Sequence, residues 1–126
     1  MRRGNPTALI SLLLAVSLLA FGGALAGTNR VTLENKGKQI HEIDLIELAE
    51  GKKIADFVAW SAKLAGPPPG SFRGGPAIRD GLSVTTTLEM KPGARYVLVC
   101  IVPDSLGDGA PHITKGMHTE EFQVQA

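Results

Sequence analysis

The segment Tyr96-Val-Leu-Val-Cys-Ile-Val102 is apolar at every position. Successive side chains of an extended strand point to opposite faces, so both faces of this segment are apolar. A strand of that kind has to be covered above and below. Turn formers bound it, with Pro92-Gly93 before and "PDSLGDGAP" after. The rest of the chain therefore has to wrap layers around one central strand.

Several segments can supply those layers. "GLSVTTTLEM" alternates Leu82, Val84, Thr86, Leu88 and Met90 with polar neighbours, which predicts a strand with one buried face. "RVTLEN" places Val31 and Leu33 in the same way, and "EEFQVQ" places Phe122 and Val124 inward. In "QIHEIDLIEL", His41 shares a face with Ile43 and Leu45, while Glu42 and Asp44 point the other way and the pattern loosens at Ile46 and Leu48. From Lys53 to Leu64 the period becomes helical, with Ile54, Phe57, Val58, Ser61 and Leu64 on one face. "GPPPGSFRGGP" (66–76) has four prolines without backbone donors and is expected as a surface loop. Short strands, frequent turns and one small helix predict an all-β Greek-key β-sandwich.

The N-terminus has a different character. Arg2 and Arg3 precede an uncharged run from Ala8 to Ala26 that ends in Ala24-Leu25-Ala26. That is the pattern of a secretory signal peptide over 1–26, with an uncleaved membrane anchor as its rival. Removal leaves a single domain, 27–126, with 11 basic and 12 acidic side chains. The whole chain carries a formal charge of only +1, which argues against a broad nucleic-acid footprint. A periplasmic or secreted protein without stable membrane insertion is expected. Exported proteins often pair their cysteines, yet this chain has one, Cys100. A lone thiol in an oxidising compartment has to be buried or coordinated to survive.

His41, Cys100, His112 and Met117 form a suggestive set. Two imidazoles, a thiolate and a weak thioether make the ligand set of a blue-copper centre. Around them, "NKGKQIH" (35–41) resembles the asparagine-to-histidine stretch of cupredoxins. "PGARYVLVC" (92–100) is similar to the strand entering their cysteine, and "HITKGM" (112–117) to the end of the plastocyanin-type ligand loop. The resemblance implies a cupredoxin-like domain whose type 1 copper ligands are His41, Cys100, His112 and Met117. It further implies one-electron transfer with a redox protein partner, by a monomer that is not an enzyme. One departure is clear, because eleven residues separate Cys100 from His112, more than plastocyanins and azurins use. Loop closure costs only about 0.6 kcal/mol per doubling of length, so the site is not forbidden. His118 neighbours Met117 and in an extended segment points to the opposite face, outside the site.

Each residue also has a plainer role. Cys100 can be a small buried hydrophobe, His41 a hydrogen-bonded core histidine, His112 a loop residue and Met117 core packing. A metal-free cupredoxin-like binding or structural module is then the alternative. A Cys100–His112 hydrolase is disfavoured because no orienting acid or oxyanion hole can be placed.

Overall fold

The computed structural model describes residues 7–12 and 26–125. The leader expected over 1–26 falls mostly outside the described residues. Of it, Thr7–Leu12 forms strand β1, paired in parallel with β2 (Gly27–Asn35). The chain continues through β3 (His41–Glu42), β4 (Asp44–Leu48), α1 (Ile54–Lys63), β5 (Gly70–Phe72), β6 (Ala77–Ile78), β7 (Ser83–Met90), β8 (Arg95–Val99) and β9 (Phe122–Gln123). A short 3-10 turn, His112–Lys115, lies between β8 and β9. One sheet has the order β1-β2-β7, a second β5-β4-β8-β9, and β3 pairs with β6. No helix among the described residues is long and apolar enough to cross a membrane.

Strand β8 is covered on both faces, as its composition requires. Tyr96, Leu98 and Cys100 enter the core between the sheets, with Val31, Leu33, Ile43, Leu45, Leu88 and Met90. Val97 and Val99 enter a second core beneath α1, with Ile46, Leu48, Phe57 and Ile113. The loosened pattern of β4 has the same cause. Ile43 and Leu45 face one core and Ile46 and Leu48 the other, so this strand is buried on both sides rather than one. The turn before β8 has Gly93 at φ 73°, and the Ala94 N–H donates to the Lys91 carbonyl, as a type II turn demands.

Helix α1 begins where the Asp56 carboxylate accepts the Lys53 N–H (2.8 Å). Phe57 and Ser61 are its buried residues. Leu64, expected inward, is instead 63% exposed. It adopts a left-handed conformation (φ 50°) that ends the helix, and its N–H donates to the Trp60 carbonyl. Leu82, expected to begin the inward face of β7, is 48% exposed, because the strand begins one residue later.

The proline-rich segment also corrects the expectation of a plain loop. It is largely exposed, yet Gly70–Phe72 pairs with Ile46–Leu48 as an edge strand. Beyond it, the Leu45 N–H donates to the Gly74 carbonyl and the Ile43 N–H to the Pro76 carbonyl. The prolines lie where no ladder donor is required.

Candidate metal centre

His41 opens β3 directly after a turn built by Asn35. The Asn35 Oδ1 accepts the Gly37 N–H (2.9 Å), and its Nδ2 donates to the carbonyls of Gln39 (2.8 Å) and Ile78 (3.0 Å). Pairing of His41 with Ile78 then fixes the strand. Gly37 packs so closely that a Cβ placed on it would lie 2.8 Å from His41 Nε2.

Cys100 follows the end of β8. Its N–H donates to the Met117 carbonyl (3.1 Å), and its carbonyl accepts the Ile113 N–H (2.7 Å). His112 opens the 3-10 turn and donates its N–H to the Val102 carbonyl (3.0 Å). Gly116 closes that turn at φ 93°, and the Met117 N–H returns to the His112 carbonyl (3.2 Å).

These connections bring three donors together. Cys100 Sγ lies 3.5 Å from His112 Nδ1 and 3.9 Å from His41 Nδ1. One ligand atom from each of the three residues lies within 4.8 Å of the others. Ligand bonds of about 2.0–2.3 Å, at angles between tetrahedral and slightly wider than trigonal, set sulfur and nitrogen about 3.5–3.9 Å apart. The spacing therefore fits one ion between the three side chains. All three are buried, as is Met117, which packs in the same core as Cys100. Met117 lines a cavity of about 110 Å3 together with His41, His112, Gly37 and Gln39.

The electrostatics favour neutral donors. Burial lowers the pKa of His41, the charge of His112 lowers it further, and Asp104 opposes both. Burial also lowers that of His112, against the pull of Asp104. Both imidazoles thus keep a lone pair free near neutral pH. Burial pushes the Cys100 thiol up to about 11, against the lowering pull of the Glu42 and Val102 backbone. Without metal the thiol is protonated, the wrong state for a cysteine nucleophile. A soft cation displaces that proton.

His118 lies elsewhere. It bridges to Val99, hydrogen-bonds the Thr119 carbonyl through Nδ1 (2.9 Å), and lines a groove with Ile54 and Val58 on the helix side. Trp60 packs with Phe57 and Phe72, and Tyr96 stacks on Phe122. The close approach of Gly37 to His41 has no signature in the sequence, since it depends on tertiary placement.

No protein-family model matches the chain, and no curated protein matches its sequence. Solved structures do match. A dithionite-reduced auracyanin from the photosynthetic bacterium Roseiflexus castenholzii superposes with a TM-score of 0.62 at 24% identity, covering 96% of this chain and 98% of that one. Auracyanin B superposes with a TM-score of 0.63 at 15% identity, covering 98% of this chain and 93% of that one. A sandwich core on one face of β8, a helix on the other and these two superpositions lead to one conclusion: the chain has the cupredoxin fold.

Proposed function

We propose that this chain is an exported, monomeric copper protein that passes single electrons to and from a redox protein partner. The observation that carries this reading is the buried convergence of Cys100 Sγ with the Nδ1 atoms of His41 and His112. Cys100, His41 and His112 would hold the ion, and Met117, buried in the same core, would offer a weak thioether donor. This soft, low-coordinate donor set selects copper over hard cations. Bound copper supplies one-electron redox chemistry. The protein's part is to hold the donors in place before metal arrives, which limits rearrangement on electron transfer. Among the described residues one such cluster is present, which suits a carrier.

Titrating the metal-free protein with Cu(II) tests this directly. A stoichiometric, intense visible thiolate-to-copper band is expected, and Cys100→Ser should abolish it because serine offers a hard oxygen. Absence of tight binding of either Cu(I) or Cu(II) would favour a metal-free binding or structural module.

A further inference from the structure

The long Cys100–His112 connection is folded into two parts. Pro103 bridges to Pro111, and the Asp104 N–H donates to the Ala110 carbonyl (2.9 Å). Residues 104–110 thus leave the site and return as a closed excursion. Asp104 stands at its neck.

We infer that Asp104 is a positioning residue that braces the two histidine-bearing segments against each other. Its Oδ1 accepts from Gln39 Nε2 (2.9 Å), and Gln39 lies two residues before His41. Its Oδ2 accepts from Lys115 Nζ (2.6 Å), and Lys115 belongs to the same 3-10 turn as His112. Oδ1 also accepts the Leu106 N–H (3.1 Å), which holds the neck closed. Gln39 reinforces the junction, because its Oε1 accepts from the Ser105 N–H (2.8 Å) and hydroxyl (2.9 Å). The Asp104 side chain is only 15% exposed, so solvent screens these contacts less than a fully exposed pair.

A brace is needed here for a specific reason. A metal-binding histidine ordinarily donates its second ring nitrogen to a partner, which fixes the ring. His112 Nε2 is buried and finds no hydrogen-bond partner among the described residues. Its ring stands 4.6 Å from that of His41, tilted by 48°, with no direct bond between them. The placement of His112 therefore depends on its backbone turn, and that turn is tied across to the His41 segment through Lys115, Asp104 and Gln39. Lys115 has a second acceptor, Asp108 (2.8 Å), but among the described residues it is Asp104, not Asp108, that hydrogen-bonds Gln39.

The structural part of this inference stands on geometry, and its effect on the metal rests on the copper reading, so the two are tested separately. In metal-free protein, NMR should show Asp104→Ala weakening the ring-to-ring contacts of His41 and His112 at least about twofold, while amide protection along β8 is kept. In copper-loaded protein the same change should speed copper loss about tenfold and alter the absorption spectrum. Asp108→Ala should produce less than about a third of either effect, because it leaves the Gln39 arm intact. Should Asp104→Ala fail to fold, Gln39→Ala and Lys115→Met each remove one arm and should each reproduce part of the ring displacement. Unmoved rings in these variants, or an equal response from Asp108→Ala, would overturn the brace. Failure of the wild type to bind copper removes the copper reading and leaves the ring measurement to decide the brace.

Discussion

Cys100 Sγ and His112 Nδ1 lie 3.5 Å apart although eleven residues separate them in sequence. The Pro103–Pro111 bridge removes most of that separation, so the ligand segment behaves as a short loop carrying a side excursion. This relationship decides between the two neighbouring histidines of the segment. His112→Ala should weaken copper binding and bleach the visible band. His118→Ala should leave both nearly unchanged, because His118 lies on the helix side of the sheet. Absorption spectra of the two copper-loaded variants check this, and bleaching by His118→Ala alone would reverse the ligand assignment.

Gly37 offers a test from the other histidine. A methyl group there would meet His41 Nε2 at 2.8 Å and Asn35 Oδ1 at 3.3 Å. His41 is buried, and its ring has to shift to make way. Gly37→Ala should therefore push the ring from its place and weaken copper binding about tenfold or more, on the scale of lost orienting contacts. The cost to the metal-free fold should be about 1 kcal/mol, a small shift in thermal midpoint. Competitive titration against a copper chelator, alongside a melting curve, separates the two effects.

The core is open to the same scrutiny. Leu98 is fully buried in the core between the sheets, and its backbone is held on both sides by Thr119. Leu98→Ala should cost about 2–5 kcal/mol in urea unfolding, as a cavity in a packed core does. Leu64→Ala and Leu82→Ala remove exposed side chains and should each stay within about 0.5 kcal/mol. Equal costs at all three positions would mean that the two faces are misassigned.

Those three leucines also mark how far the sequence could be read. Leu98 was legible because the run around it is apolar on both faces, which only a doubly covered strand explains. Leu64 and Leu82 fit the period of their elements but lie at the ends, where a left-handed cap and a late strand start take over. Strands β5 and β6 have three and two residues, too few to display any alternation. The convergence of His41, Cys100 and His112 was legible through their chemistry and order. Gln39, Asp104 and Lys115 were not, because a carboxylate joining three distant segments leaves no local pattern.

The Glu42–Asp44 pair yields the last prediction. Both were expected to point away from the face that His41, Ile43 and Leu45 share. The structure leaves both only partly exposed: Glu42 Oε1 accepts the Ile101 N–H (3.2 Å), and Asp44 lies beside Val99 in the sheet. Burial, then the charge of Glu42, then a hydrogen bond with it raise the Asp44 pKa to about 7. In the unfolded chain an aspartate titrates near ~3.9. Between these values the folded state holds a proton that the unfolded state has released. Raising the pH across this window therefore favours unfolding, and the contribution is constant above it. His41 and His112 act in the opposite sense, since their folded pKa values are lowered and the unfolded chain binds more protons below ~6.5. Comparing metal-free wild type with Asp44→Asn cancels the histidine contribution. The stability of the variant relative to wild type should grow as pH rises from about 4 to about 7, then level off. Urea unfolding at several pH values measures the difference, and a difference independent of pH would show that Asp44 ionises in the folded protein as it does in water.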